Sequence, residues 1–297
     1  MITRQSIRWG SIARDYWMSV LIMIGYTAAV VVLAKQGISL AIPIAIPALL
    51  GTAISILLGF RTNSAYDRWW EARKIWGAIV NDSRTLARQV LTFLEVSDDA
   101  ASPQREMIYR QIAWCHALRH SLRGEEPFAD LEGLLSEDEI EALRPLDNRP
   151  NAILHTQTVR LAEAHRRGLV DRLLLLPIEG TLKRFSDHMG QCERIKTTVF
   201  PTQYSNFLHW IIWLFFLLLP ASLAPHLGWL ALPVAFVVSL GFLVIESIGR
   251  AMENPFEQAA TDTPMTAICR TIEINLRQQL GETEVPEKLE PVNGVLM

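Results

Sequence analysis

Residues 41–76 read AIPIAIPALLGTAISILLGFRTNSAYDRWWEARKIW, and the fold follows from how this stretch is built. No charge occurs from Gln36 to Phe60; then Arg61, Asp67, Arg68, Glu71, Arg73 and Lys74 arrive together. The uncharged part is long enough for a membrane-crossing helix, which needs ~20 apolar residues. Pro43 and Pro47 stand near its start, where a first helical turn tolerates proline. Gly51, Ser55 and Gly59 fall four apart, a small-residue stripe that lets backbones approach closely. Thr52, Ile56 and Phe60 form the next stripe, pointing one way. Such a helix suits a pore wall, where rings of apolar groups form a hydrophobic constriction. The same spacing is ordinary in a lipid-facing or bundle-core helix, so the stripe alone leaves both readings open.

Outward from this stretch, the composition belongs to a membrane protein. Of 297 residues, 50% are hydrophobic and 20% charged, mean hydropathy is +0.19, and the apolar residues are clumped. The net charge of −3 argues against nucleic acid as a partner. An uncharged run, Trp17–Ala34, predicts a first membrane helix; it exceeds the apolar core of a signal peptide, and no small-residue cleavage pattern closes it. Thr197–Ile245 holds no Lys, Arg, Asp or Glu over 49 residues, too many for one crossing. Pro220 and Pro225-His226-Leu227-Gly228 divide it into spans near 205–223 and 229–248. Basic residues gather at the N-terminus (Arg4, Arg8, Arg14), over 61–74 and over 183–196, and are scarce in the 35–40 and 224–228 links. That asymmetry puts both termini and the polar middle on the cytoplasmic side of the inner membrane.

The middle reads as a helical module. The helix from the quoted stretch runs on to about residue 95, since Ala65, Trp69, Ala72, Trp76, Ile79 and Ser83 share a face. Ser102-Pro103 opens a helix ending at Arg123 before Gly124; Ser136–Glu139 is a capping box; Asn151–Arg167 is amphipathic and stops at Gly168. Leu169–Ile195 reads as helix interrupted at Pro177 and Gly180, and 265–280 as a final amphipathic helix. No run alternates with period two, so no sheet is expected.

Three blocks carry a family likeness. Leu58-Gly59-Phe60 with Arg68-Trp69-Trp70, then Cys192-Glu193-Arg194, then Glu253-Asn254-Pro255-Phe256 with Asp262 and Pro264, occur in this order. Together they resemble the bestrophin family, in particular its prokaryotic members. The resemblance implies an all-α ion channel with four transmembrane helices and a cytosolic helical module, homopentameric around one axial pore. Its boundaries would be 1–60 for the N-terminal segment and first two spans, 61–196 for the module, 197–250 for spans three and four, and 251–297 for the C-terminal segment. It implies a neck lined by Thr52, Ile56 and Phe60, and a second, cytosolic constriction at Leu173. Monovalent ions, membrane lipid and further copies of the chain are the expected partners. In animal relatives the region matching 253–262 holds an acidic run that clasps calcium; here Glu253, Glu257 and Asp262 are separated.

Nothing else in the chain competes. His116 and His120 lie one turn apart beside Cys115, but no third ligand is near in sequence, so no metal is expected. Cys115, Cys192 and Cys269 read as buried thiols. There is no GxSxG elbow or phosphate loop, hence no enzyme and no cofactor. Glu246 and Arg250 are spaced for an i,i+4 pair. The charges able to select an ion's sign are Asp171 and Glu179, opposed by Arg172 and Lys183. The acidic surplus and the prokaryotic likeness favour cations over chloride. A chloride channel of the same architecture, or a non-conducting structural or regulatory membrane protein, is the alternative.

Overall fold

The structure is a computed structural model that describes residues 9–38, 42–95, 102–198, 202–292 and 294–296. Arg4 and Arg8 lie outside the described residues. Among the described residues ten α-helices run in order: α1 (Trp9–Lys35), α2 (Ala45–Phe93), α3 (Pro103–Arg123), α4 (Phe128–Leu131), α5 (Glu137–Leu143), α6 (Arg149–Arg166), α7 (Arg172–Thr197), α8 (Thr202–Leu227), α9 (Ala231–Met252) and α10 (Met265–Gln279). No strand occurs among the described residues, only two isolated bridges. The chain divides into two compact units. One draws on Gln5–Arg68 and Val199–Glu253, the other on Trp69–Thr198 and Asn254–Met297. Helix α2 supplies residues to both.

In the first unit α1 packs on α8 and α9. Its core joins Val31, Ile54 and Leu58 to Ile212, Phe215, Phe216 and Leu243. Leu21, Leu49, Trp210, Leu217 and Val237 remain exposed, the distribution expected where the solvent is lipid. Among the described residues, three stretches are long and apolar enough to cross a membrane: Trp17–Lys35, Ala45–Phe93 and Gln203–Met252. The last is broken by a 3₁₀ turn at Gly228–Leu230, where Gly228 adopts φ +53°. Helix α8 therefore runs past residue 223 and keeps Pro220 and Pro225 inside it.

The second unit is built round α3, which is buried along most of its length and packs on α6, α7 and α10. Trp114 meets Phe185 at 5.0 Å between ring centroids. Two buried amides tie this core together: Gln111 Nε2 donates to Ser83 Oγ at 3.0 Å, and Gln157 Nε2 to the Met107 carbonyl at 2.8 Å. The Arg123 and Gly168 stops hold, with Gly124 and Gly168 left-handed at φ +70° and +76°.

Three local expectations are corrected. Ser102 stands at the N-cap of α3, but its side chain makes no capping bond. Only half of the capping box forms: Ser136 Oγ accepts from the Glu139 amide, while the Glu139 carboxylate turns to Arg110 instead. Helix α7 is continuous through Pro177 and Gly180. The proline removes a single helical bond, the one to Leu173. Its own carbonyl accepts from Gln89 Nε2 at 3.2 Å and Thr181 Oγ1 at 3.1 Å. Burial of Ile178, Leu182 and Phe185 holds the remainder in place.

Candidate functional site

The faces of α2 sort themselves by burial. Ile54, Leu58, Arg61 and Ala65 point into the first unit. Thr52, Ile56 and Phe60 are exposed, the latter two at 56% and 69%. The three predicted neck residues thus share one open stripe. Thr52 Oγ1 donates back to the Ala48 carbonyl at 2.9 Å, so its hydroxyl proton is spent on the helix and its oxygen faces outward as an acceptor. Seven residues beyond Phe60, close to two full turns, Asp67 lies on the same stripe. It is exposed and has no ion pair among the described residues.

The small-residue stripe behaves differently from its expectation as the tightly packed side. Only Gly51 is close to a neighbour: a Cβ there would lie 3.2 Å from the Phe215 ring. Gly59 has nothing within 4 Å of that position. Ser55 and Gly59 instead line an open cavity of about 480 Å³ with Thr62, Tyr66, Phe242 and Ile245. The larger Ile54 and Leu58 take the protomer core because they bury more apolar area.

Beside the stripe sits a buried ion cluster. Arg61 directly follows Phe60 and its side chain is 1% exposed. Its Nε donates to Glu253 Oε1 at 2.8 Å, and Nη2 forms an ion pair with the same oxygen at 2.8 Å. Its Nη1 is 3.7 Å from Glu246 Oε1, too far for a hydrogen bond. Glu246, also 1% exposed, accepts from Arg250 Nη2 at 2.6 Å, the expected i,i+4 pair. His209 Nδ1 lies 3.4 Å from the same Glu246 oxygen. Trp213 donates its indole N–H to His209 Nε2 at 2.9 Å. An indole can only donate, so His209 Nε2 is the acceptor in that bond. Arg68 Nε reaches the Glu253 carbonyl at 3.1 Å.

This cluster was not read from the sequence, since Arg61 and its carboxylates stand nearly 200 residues apart. The signal available was an arginine at the end of an uncharged membrane stretch, a position where an ionisable group needs a partner.

In the second unit the candidate residues of α7 gather at its start. Asp171 is the N-cap, Oδ1 accepting from the Leu173 amide at 2.7 Å. Arg172 is exposed, Leu173 is 75% exposed, and Glu179 is half-buried. The remaining motif residues hold one another. Trp69 Nε1 donates to the Thr261 carbonyl at 2.8 Å, and Arg194 Nη2 meets Glu71 Oε1 at 2.8 Å. Glu257 pairs with Lys196 at 3.3 Å. Asp262 is buried and accepts from the Ala259 amide at 3.0 Å; burial pushes its carboxyl up.

His116 and His120 meet carboxylates in the fold. His120 Nδ1 and Nε2 lie 3.0 Å from Glu125 and 2.6 Å from Asp130. His116 faces Asp130 and Glu273, each at 3.9 Å. Burial lowers the His116 imidazole to about 4, against the pull of Asp130. Among the described residues no group of His, Cys, Asp or Glu has the arrangement of a metal site. Burial pushes the thiols of Cys192 and Cys269 up to about 12, which leaves both unreactive.

Comparison with known proteins agrees over nearly the whole chain. A family described as bacterial/fungal bestrophin protein matches residues 2–278. The voltage-dependent anion channel-forming protein YneE of Escherichia coli K12 is 35% identical over 243 residues, covering 82% of this chain and 79% of that protein. A voltage-dependent anion channel-forming protein of Nostoc sp. is 36% identical over 242 residues, covering 80% and 79%. A crystal structure of a bacterial bestrophin homologue from Klebsiella pneumoniae, carrying a point mutation, superposes with a TM-score of 0.86 at 30% identity, covering 90% of this chain and 100% of that one.

Proposed function

The chain belongs to the bacterial/fungal bestrophin family, and from that premise we propose that it forms a pentameric ion channel whose neck is the Thr52, Ile56 and Phe60 stripe of α2. The observation that carries this reading is the exposure of those three side chains along one stripe of a membrane helix whose Ile54, Leu58 and Arg61 are buried. Ile54, Leu58 and Arg61 hold the protomer together, and Ser55 and Gly59 leave a recess beside the stripe. A protomer has one such helix, so a closed path needs several copies round an axis, and cyclic symmetry supplies it. The α1, α2, α8 and α9 segments would cross the inner membrane, with the other unit and both termini on the cytoplasmic side. Leu173 is the candidate for a second, cytosolic constriction.

Uncharged neck rings cannot choose the sign of an ion, so selection falls to charged rings beyond them. Asp67 continues the neck stripe without a counter-ion, and repeated round an axis it would gather cations. Asp171 and Glu179 would add to it, against Arg172. On these grounds the channel favours monovalent cations. The names of the relatives, voltage-dependent anion channel-forming proteins, favour the opposite sign. Reconstitution in planar bilayers under a sodium chloride gradient decides. A reversal near the sodium potential, unmoved when a large organic anion replaces chloride, is expected. A reversal that follows the chloride makes this an anion channel. Silence across pH, salt and voltage replaces both readings with a non-conducting structural or regulatory membrane protein.

A further inference from the structure

We propose that Arg61 is a positioning residue for the neck: its buried pairing with Glu246 and Glu253 fixes the rotation of α2 about its own axis and so the aim of Phe60. The inference rests on the pore reading above.

Adjacent helical residues point ~100° apart, so a helix that turns Arg61 inward turns Phe60 outward. The inward direction is held by charge. Arg61 is sealed from solvent, and its Nε and Nη2 both stand 2.8 Å from one oxygen of Glu253. Glu246 and Glu253 stand seven apart, on one side of α9 and its C-terminal cap. Gly249 lies between them, and a Cβ there would come within 3.2 Å of Thr62 Oγ1 and 3.7 Å of Thr62 Cα. The two helices therefore touch beside the last neck ring, with no side chain on α9 to hold them apart. Two guanidinium groups, Arg61 and Arg250, face two carboxylates, so the formal charges balance.

Rotation of α2 would carry Arg61 out of this balance into an apolar environment, where an unpaired charge is heavily disfavoured. A purely apolar contact at this position would permit small rotations, because packing without charge or hydrogen bonds is weakly directional. Within the cluster, Arg61 Nη1 and Glu246 Oε2 make no hydrogen bond. Nη1 has this second carboxylate at 3.7 Å, so the guanidinium is bracketed by both acids.

The test compares single-channel conductance of wild type, Arg61→Gln, Phe60→Ala and the double variant in planar bilayers, each first shown to have the wild-type size in detergent. Arg61→Gln is expected to change conductance at least threefold, and Arg61→Lys to restore most of the change. In the Phe60→Ala background Arg61→Gln should have no further effect, since the ring it aims is gone. A simple stabilising role would not produce that dependence. If Arg61→Gln fails to fold, Glu253→Gln, which keeps an acceptor of the same shape, replaces it with the same expectation. Wild-type conductance in the folded single variant, or an equal fold-change with and without Phe60, overturns the inference while leaving the channel intact. A silent wild type overturns the channel reading itself.

Discussion

Each unit buries an arginine beside carboxylates, and the two are held differently. Arg110 in the helical module closes a fork on Glu139, Nε to one oxygen at 2.9 Å and Nη2 to the other at 3.1 Å, with Gln157 near its remaining nitrogen at 3.5 Å. Arg61 in the membrane unit turns Nε and Nη2 to a single oxygen, with one hydrogen bond and one ion-pair contact, and leaves Nη1 unbonded. The first arrangement is the geometry in which a guanidinium and a carboxylate match best, and it fastens α3 to α5 in one way. The second is shared between partners. Arg110 ties two helices of the scaffold together, whereas Arg61 sets the position of α2 beside its exposed stripe.

Removing either arginine should produce the largest effects and break the comparison if it is wrong. Loss of one member of a buried pair costs roughly 3–5 kcal/mol. For Arg110→Ala the lower end is expected, because Glu139 is 23% exposed and water can reach it. Denaturant unfolding followed by tryptophan fluorescence should report both losses. Only Arg61→Ala should also alter conductance. An Arg110→Ala protein with changed conductance would erase the distinction between scaffold and setting.

Acid should act next, on the module alone. The His116 imidazole is held near 4 in the fold, mainly by burial, with Arg119, His120 and Arg270 adding to the effect and Asp130 opposing it. An unfolded histidine titrates near ~6.5. Between these values the unfolded chain binds a proton that the folded chain does not, so stability is full above the unfolded value and falls as pH drops toward 4. The slope is at most ~1.4 kcal/mol per pH unit, about 3 kcal/mol over the window. His116→Gln should flatten the acid limb of a stability-against-pH curve. A limb unchanged by the substitution would assign the acid sensitivity to other groups.

The sequence made the helices legible where its signals were local. The left-handed glycines after Arg123 and Arg167, the uncharged runs and the long amphipathic continuation of α2 all depend on neighbours within a few turns. Pro177 misled because its cost is local while its compensation, Gln89 and the apolar face of α7, comes from far along the chain. The Thr52, Ile56 and Phe60 stripe was visible as spacing, although spacing could not tell the open stripe from the buried one. Gly51, Ser55 and Gly59 looked like the packed side, yet only Gly51 touches a neighbour. Arg61 was invisible as a site, since a charge at the end of an apolar run reads as the membrane boundary until its partners are known.

Within the membrane unit, the neck rings sharpen the contrast between the open and the buried faces of α2. Ile56→Ala and Phe60→Ala remove exposed side chains, so folding should be little affected, while widening the constriction should raise conductance about fivefold, ~1 kcal/mol of barrier. Leu58→Ala, on the buried face, should do the reverse: ~2–5 kcal/mol of stability lost, with conductance nearly unchanged in the protein that folds. Single-channel recording beside thermal unfolding separates the faces. Unchanged current from both neck variants would remove α2 from the conduction path.

The smallest expected effect belongs to Thr52. Its side chain is exposed and its hydroxyl proton is engaged by the Ala48 carbonyl. What it offers to a passing ion is an oxygen lone pair, which can replace part of a hydration shell for a cation and does nothing for an anion. Thr52→Val keeps the shape and the β-branch while deleting that oxygen, so it isolates the chemistry from the width. Thr52→Ile deletes it and narrows the ring as well. With a cation as the carried ion, Thr52→Val should lower conductance about twofold, ~0.4 kcal/mol, and Thr52→Ile somewhat more. Stability should be the same in all three, because the deleted bond closes on its own helix and leaves the Ala48 carbonyl its backbone partner. An equal drop for cation and anion currents would mean that Thr52 acts by size. A drop confined to Thr52→Ile would say the same, and the outer ring would then be apolar in effect like the two below it.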